Sequence, residues 1–349
     1  MSRRFQGLIV PVASIVLGLL IGAIIMLAFG YDPIAGYSAL AYGAFGNSYY
    51  LGETLRLTTP YILTGLAIAV AYKMNMFNIG AQGQLLMGWI GAVWAGTLFD
   101  FPKFIHLPMA IVVGGICGAL WALVPGLLKA YLKVNEVIIT IMMNYIALYI
   151  FNWLIHDVFT DGKDQTDVVK ETASLKSPFL ENITQYSTLH WGIILSLIFA
   201  VIIWVFMKKT TKGYEFEAIG FNENAAMYAG MNVRRNIIFA MLISGFLAGT
   251  AGAMEGLGTF GFAFTQGSVS GIGFDGIAVA LLGALSPIGI VFSAFLFAAL
   301  NIGKTTISVE AGIPNELVNI VIALIIFFVA ASYIIQCVIA KMAAKKGGR

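Results

Sequence analysis

The sequence predicts an all-α polytopic membrane protein, and three observations lead to this fold class. Hydrophobic residues make up 59% of the 349-residue chain and charged residues only 11%, less than half of the roughly 25% that soluble domains carry. The mean hydropathy is +0.89. Apolar runs of about 20 residues, long enough to cross a bilayer as a helix, recur along the chain. The net charge of +3 is too small and too scattered for a nucleic-acid-binding surface.

Ten apolar segments are candidate transmembrane helices. The stretch 275–303 is too long for one span and is interrupted at Ser286-Pro287, so we divide it into two short helices. A re-entrant hairpin there would leave the sidedness of both termini unchanged. The predicted segments are 7–29, 58–72, 78–99, 107–128, 136–155, 190–207, 236–255, 275–285, 288–303 and 316–337.

The first segment follows Arg3 and Arg4 and resembles a signal peptide in its charged start. Its apolar run is longer than the roughly 7–15 residues of a signal-peptide core, and no small-residue cleavage site closes it before Asp32. We therefore predict a retained first transmembrane helix.

Basic residues set the predicted orientation, because short cytoplasmic loops are enriched in Lys and Arg. The basic residues form three clusters, before the first segment, around 208–235 and after the last segment. With ten segments, all three clusters and both termini fall on the cytoplasmic side. The acidic loop 156–188 falls outside. The basic residues are Arg3, Arg4, Lys208, Lys209, Lys212, Arg234, Arg235, Lys341, Lys345, Lys346 and Arg349.

These assignments give a single transmembrane domain over 1–349, with an external loop at 156–188 and a cytoplasmic loop at 208–235.

Residues 33–57 carry several tyrosines together with Glu53 and Arg56. Aromatic residues concentrate at the headgroup level of the membrane. We therefore predict that 33–57 is an interfacial stretch on the outer face.

Motifs for catalysis, nucleotide binding and metal binding are missing. The closest approach to a phosphate-binding loop is Gly303-Lys304-Thr305, but Ala298 occupies the position that requires glycine. Cys117 and Cys337 both lie in apolar runs without a nearby His, so they form no metal site. We expect no catalytic residue, metal or bound cofactor in this chain.

Charged residues are also missing from the middles of the predicted spans. Glu136, Glu255, Asp275 and Glu316 fall at or near span ends. A charge retained at mid-membrane usually marks ion or proton coupling. This placement argues against an ion-coupled carrier and implies that the driving force for any transport is supplied elsewhere.

Uncharged polar residues are concentrated at 75–84, where Asn78, Gln82 and Gln84 accompany two glycines. An unwound backbone at membrane depth is tolerated only where it lines a cavity or is buried in protein, and transporters often carry such breaks in both halves. A second glycine-rich stretch, 271–283, is a weak counterpart. The three side chains either line a solute path or form hydrogen bonds between helices.

Asn144 and Glu136 lie on one predicted helix, eight residues apart. At 100° per residue they are about 80° apart, so they share a broad face. Asn144 either donates to a hydroxyl-rich solute or ties helices together. We include both residues among the candidates for the solute path.

The loop 208–235 contains a short predicted helix with small side chains. Asn222 can cap its start, Gly230 can end it in the left-handed conformation, and the alanines between them allow close docking to a partner. A plain surface helix is the alternative. The candidate coupling residues are Gly220, Asn222, Ala225, Ala226, Tyr228 and Gly230.

Three stretches together resemble the permease subunits of bacterial ABC importers for simple sugars, branched-chain amino acids and nucleosides. They are residues 77–84, 220–230 and 273–283, which span most of the chain. Gln82 stands where many relatives carry Glu. Residues 135–138 and 142–146 are most similar to the nucleoside branch.

The resemblance implies a permease of the bacterial cytoplasmic membrane that hydrolyses nothing itself. Such permeases pair with a second permease, take solute from an extracytoplasmic binding protein and are driven by a cytoplasmic ATPase that binds the ATP. The helix at 222–229 would be the element that the ATPase moves. The implied solute is a nucleoside. The alternatives are a simple sugar such as ribose, branched-chain amino acids or, from another class, an ion-coupled transporter.

Overall fold

The computed structural model describes residues 3–269 and 271–330, with side chains described between 12 and 328. Helix accounts for 79% of the structure, and the described residues contain no β-strand beyond one isolated bridge between Gln165 and Phe264. The side chains of Arg3 and Arg4, the end of the predicted segment 316–337, Cys337 and the C-terminal basic cluster lie outside the described residues.

Fourteen α-helices form the described part of the chain. Two of them, α6 and α11, continue as π-helical turns, Leu154–Phe159 and Glu255–Phe260. The helices are α1 (Arg3–Ala28), α2 (Pro33–Phe45), α3 (Ser48–Lys73), α4 (Ala81–Leu98), α5 (Lys103–Leu132), α6 (Glu136–Trp153), α7 (Pro178–Ile183), α8 (Gly192–Lys209), α9 (Thr211–Phe221), α10 (Glu223–Tyr228), α11 (Val233–Met254), α12 (Ile272–Leu282), α13 (Pro287–Glu310) and α14 (Asn315–Ala330).

Within the described residues, each of the ten predicted segments overlaps with one of these helices, which confirms the all-helical class. Six helices are long and apolar enough to cross a membrane, namely α3, α5, α8, α13 and the extended α6 and α11. Shorter apolar helices occur at Val12–Ala28, Ile272–Leu282 and Asn315–Phe328. The described residues thus contain a multi-helix membrane domain.

The prediction that 33–57 forms one interfacial stretch is wrong for residues 48–57, which belong to α3. Asp32 Oδ1 accepts a hydrogen bond from the Ile34 backbone N–H (2.8 Å) and starts α2, and Asn47 Oδ1 accepts from the Tyr50 N–H (2.8 Å) and starts α3. Such side-chain acceptors satisfy the free N–H groups at helix N-termini. Residues 48–57 therefore belong to a 26-residue helix, in which Glu53 and Thr54 are buried whereas Ser48 and Tyr49 are exposed.

Close backbone approach holds the centre of the bundle together. A Cβ added to Gly88 of α4 would lie 2.2 Å from the Gly249 carbonyl oxygen of α11, and one added to Gly118 of α5 would lie 2.4 Å from the Gly245 carbonyl oxygen. Only glycine permits this spacing, and small residues four positions apart commonly mediate helix packing in membranes. Helices α4, α5 and α11 form the tightly packed scaffold beside the candidate site.

The region 275–303 forms two helices of unequal length, as its interruption predicted. Ala284 (φ +51°) and Leu285 (φ +56°) are left-handed in the turn between them. Helix α12 has 11 residues, about 16 Å at 1.5 Å per residue, which is roughly half the thickness of a hydrocarbon core of about 30 Å. Helix α13 extends to Glu310, beyond the predicted end at 303, because Lys304 and Thr305 hydrogen-bond to Asn301 and Ile302 of the same helix.

Candidate functional site

The polar break between α3 and α4 is held by an amide network. Asn78 Nδ2 donates to Gln84 Oε1 (3.0 Å) and to Ser244 Oγ of α11 (2.8 Å). Asn78 Oδ1 accepts from the Gly80 backbone N–H (3.0 Å). Asn78 and Gln84 are both 1% exposed. Their amides therefore satisfy one another and the unwound backbone, as buried polar groups require.

Asn144 of α6 also forms hydrogen bonds to the backbone at the polar break. Its Oδ1 accepts from the Gly83 N–H (2.8 Å), and its Nδ2 donates to the Ile79 carbonyl (3.0 Å). The side chain is fully buried. Asn144 thus ties α6 to the first turn of α4, which is one of the two roles that its position predicted.

Glu136 is the first residue of α6. Its carboxylate is 2.8 Å from Lys129 Nζ of α5, and its backbone carbonyl accepts from Thr140 Oγ1 (2.7 Å). Glu136, Asp275 and Glu316 lie in the first turns of α6, α12 and α14, as predicted. The structure places Glu136 in an ion pair between two helix ends, about two helical turns from Asn144.

Gln82 connects the two glycine-rich stretches. Its Oε1 accepts from the Gly273 backbone N–H at 2.7 Å, so the first turn of α4 is bonded to the first turn of α12. A Cβ on Gly273 would lie 2.5 Å from the Gln82 backbone. The stretches at 78–84 and 271–283 therefore meet in space.

Gln82 also borders a cavity of about 380 Å³ between α4, the end of α11, the loop residues 264–268 and the start of α12. One wall is aromatic: the rings of Trp89 and Phe260 stack with centroids 5.2 Å apart, and Phe264 meets Phe260 edge-on at 5.1 Å. The other wall is polar. Its side chains are Gln82, Glu255, Thr265, Gln266 and Ser268.

This cavity has the character of a small-molecule site, because aromatic faces and a few convergent polar groups line it. Trp89 is held in place by a hydrogen bond from its Nε1 to the Phe262 carbonyl (3.0 Å). The aromatic wall was not among the predicted site residues. The signal was the alternation of Phe260, Phe262 and Phe264 directly after a glycine-rich helix end.

A buried ionic cluster adjoins the cavity and contains Glu255, which lies near the end of its span, as predicted. This residue lies inside the continuous 28-residue helix Val233–Phe260 and is 2% exposed. The Arg56 guanidinium lies between Glu53 Oε2 (3.0 Å) and Glu255 Oε1 (4.0 Å). Arg56 was not predicted as a site residue because residues 48–57 were assigned to the interface rather than to a helix.

The short helix of the loop 208–235 is present as α10, with the predicted ends. Asn222 Oδ1 accepts from the Ala225 N–H (3.0 Å), and Gly230 has φ +86°. The three alanines Ala225, Ala226 and Ala229 line one groove beside α9, but they differ in exposure. Ala226 is 4% exposed and buried within the chain, whereas Ala225 and Ala229 are exposed.

The exposed side of α9 and α10 is rich in large apolar groups. Phe221 and Tyr228 are 94% and 90% exposed. A groove of about 460 Å³ lies between the two helices, and Phe221, Ala225, Ala226 and Ala229 line it, whereas Tyr228 does not. Exposed apolar patches with polar rims are typical of protein–protein contacts.

Helix α9 rests directly on the end of α3. A Cβ on Gly220 would lie 2.1 Å from the Lys73 carbonyl oxygen, and Lys73 Nζ is 3.2 Å from Glu217 Oε2. The α9–α10 unit therefore contacts the chain immediately before the polar break at 75–80.

Comparisons with known proteins identify the family. The model of the branched-chain amino acid transport system permease component matches residues 50–330. A guanosine ABC transporter permease protein of Bacillus subtilis, NupP, is 55% identical over 99% of both chains. A nucleoside ABC transporter permease protein of Lactococcus lactis, NupB, is 42% identical over 99% of this chain and 97% of its own length. A glucose ABC transporter permease protein of Haloferax volcanii is 31% identical over 92% and 87% of the two chains.

No solved structure matches the chain. The relatives are permease proteins, and the described helices include six that could span a membrane. These findings confirm the predictions of an integral membrane protein and of an ABC permease. The chain belongs to the permease-component family of branched-chain amino acid transport systems, and it is more similar to the guanosine and nucleoside permeases than to the glucose permease.

Proposed function

We propose that this chain is one permease subunit of an ATP-driven importer of nucleosides. The observation that carries the proposal is the 55% identity, over 99% of both chains, to a guanosine ABC transporter permease protein. The aromatic and polar walls of the cavity beside Gln82 support it, because a nucleobase is flat and its ribose carries hydroxyl groups. A simple-sugar importer is the second candidate, favoured by the 31% identity to a glucose permease.

The proposed membrane arrangement has ten segments, with both termini on the cytoplasmic side and one permease domain over 1–349. Helices α9 and α10 then lie in the cytoplasm, and residues 156–188 lie outside. The even number of segments is supported by the basic residues Lys208, Lys209 and Lys212 on one side and by the acidic loop on the other.

The proposed solute path passes the cavity between α4, α11 and α12. Gln82 borders it directly, whereas Asn78, Gln84 and Asn144 hold the first turn of α4 in place. Glu136 supports the end of α6 through Lys129. In this proposal the path depends on all five polar candidates, and Gln82 is the one that meets the solute.

The proposed partners are a second permease, a cytoplasmic ATPase and an extracytoplasmic binding protein. ABC permeases of this family act in such complexes, and a second guanosine permease protein of Bacillus subtilis, NupQ, is 26% identical over 75% of this chain. The ATPase would dock on the exposed surface around Tyr228 and Ala225. This chain would bind no cofactor and hydrolyse no ATP.

A continuous set of contacts would carry the ATPase movement to the cavity. Helix α10 packs on α9, and Gly220 of α9 lies against the Lys73 carbonyl. The break that follows Lys73 is bonded into α4, and Gln82 of α4 is bonded to Gly273 of α12. A tilt of α9 would therefore displace the polar break and, through it, one wall of the cavity.

Co-purification and competition test the proposal. The tagged chain should bring down an ATPase and a second permease, and unlabelled guanosine should compete with labelled nucleoside uptake better than ribose or leucine does. Recovery of a transport-active single chain would refute the ATP-driven complex. Stronger competition by ribose would favour the sugar alternative.

A further inference from the structure

A basic pocket lies at the start of α11, at the end of the bundle that carries α9 and α10. It has a volume of about 670 Å³, and Lys212, Arg234 and Arg235 line it together with Tyr131. The Arg234 guanidinium carbon lies 5.7 Å from the centre of the Tyr131 ring. No part of the proposed transport mechanism uses this pocket.

The pocket has an excess of positive charge. Lys212 is neutralised by Glu215 at 2.6 Å, and Glu215 also accepts from Asn236 Nδ2 (2.9 Å). Within the described part of the chain, the ion pairs include neither Arg234 nor Arg235. Arg235 also acts electrostatically on Glu215, but the pocket has three basic groups to this one carboxylate, so positive charge remains available for an anion. Guanidinium suits phosphate because its N–H groups bind two oxygens at once.

An apolar groove continues from the pocket along the bundle. It has a volume of about 480 Å³ between α5, α8 and α11, and only apolar residues line it. Phe239 and Leu242 line both the pocket and the groove, so the two adjoin at these side chains. Ile202 of α8 lies further along the groove and is 50% exposed.

The groove faces away from the solute path. Phe246 lines the groove and Glu255 lines the cavity. Nine residues separate them on α11, which corresponds to about 180° of rotation. Helices α5 and α8, which form its other sides, are the least buried of the spanning helices, each with 28% of its apolar window buried. A molecule in this groove would therefore contact the hydrocarbon of the bilayer.

We propose that the pocket and the groove together bind one anionic phospholipid. Its phosphate lies against Arg234 and Arg235, and one acyl chain fills the groove past Phe239. The charge complementarity and the continuity with an apolar groove select a lipid over a soluble anion. Basic pockets between helices on the cytoplasmic side are typical of anionic headgroup sites. This site is separate from nucleoside transport and does not depend on it.

Native mass spectrometry of the full chain, purified with its partners in mild detergent, tests the site. The complex is titrated with phosphatidylglycerol or with phosphatidylcholine of the same chain length. We expect phosphatidylglycerol to bind more tightly. Each basic residue near an anionic surface contributes about five-fold in affinity, so Arg234→Gln with Arg235→Gln should weaken phosphatidylglycerol binding roughly 25-fold, or about 2 kcal/mol.

Two further variants distinguish a lipid in this site from a free anion and from attraction to surface charge in general. Lys208→Gln with Lys209→Gln removes the same charge from exposed positions outside the pocket and should leave phosphatidylglycerol binding nearly unchanged. Ile202→Trp keeps the charge but fills the groove and should also weaken it. Equal binding of the two lipids would overturn the proposal, and so would a loss in the lysine variant as large as that in the arginine variant. Displacement of the lipid by glycerol phosphate, together with unchanged binding by Ile202→Trp, would also overturn it.

Discussion

The contact between Gly220 and the end of α3 gives the sharpest test of coupling. A Cβ at position 220 would lie 2.1 Å from the Lys73 carbonyl oxygen, whereas real Cβ atoms stay at least 3.0 Å from such atoms. The variant Gly220→Ala must therefore move α9 away from α3 by about 1 Å, which is 3.0 minus 2.1 Å. Overpacking of this kind costs about 1–3 kcal/mol.

Where this cost falls on only one of the two access states, it shifts the equilibrium between them by roughly 5- to 150-fold. We expect Gly220→Ala to insert into the membrane and to retain its ATPase partner, while the nucleoside imported per ATP hydrolysed falls at least roughly five-fold. The assay measures both quantities in proteoliposomes. Thr211→Ala, an exposed change at the other end of α9, is the control. Unchanged uptake per ATP in Gly220→Ala would refute the role of this contact.

Three other substitutions test the buried polar groups and the cap. Gln82→Leu removes the acceptor of a buried N–H and should lower the unfolding free energy in detergent–SDS titrations by about 1–3 kcal/mol, whereas Gln82→Glu should retain stability. Arg56→Met leaves Glu53 and Glu255 buried without their cation and should cost about 3–5 kcal/mol in the same titration; a change below about 1 kcal/mol would contradict the cluster. Asn222→Ala should lose about 1 kcal/mol of cap energy and weaken ATPase co-purification, whereas Asn222→Asp should preserve it.

Much of the fold could be predicted because the bilayer imposes long apolar helices. The basic residues at 208–212 and the apolar runs around them led to helices at α8 and α11 that the structure contains. Residues 48–57 were misassigned because the tyrosines of the stretch 33–57 suggested an interface. Asp32 and Asn47 cap α2 and α3, and as typical N-cap residues they indicated that two helices begin in this stretch.

The candidate site was less accessible from the sequence because it depends on contacts between distant segments. The polarity of Asn78, Gln82 and Asn144 was evident, but the hydrogen-bond partners were not. Gln82 bonds to Gly273, 191 residues away, and no spacing rule predicts such a pair. The aromatic wall around Trp89 could not be predicted because aromatic residues in membrane helices ordinarily pack against other helices.

For the short helix α10, too, local features could be predicted from the sequence but contacts with the rest of the chain could not. Its cap at Asn222 and its left-handed end at Gly230 follow from local rules, and both were predicted. The burial of Ala226 arises from packing within the chain, so a bulky residue at this position would disturb that packing as well as docking. Tyr228, which is 90% exposed, is the better position for a docking variant.

Uptake by the purified complex decides between an ATP-driven importer and an ion-coupled carrier. The chain, its co-purified permease and its ATPase are reconstituted in proteoliposomes with the binding protein outside and labelled guanosine as solute. We expect guanosine accumulation that requires ATP inside and persists when an ionophore collapses the ion gradients. Accumulation that continues without ATP and stops with the ionophore would contradict the ATP-driven importer.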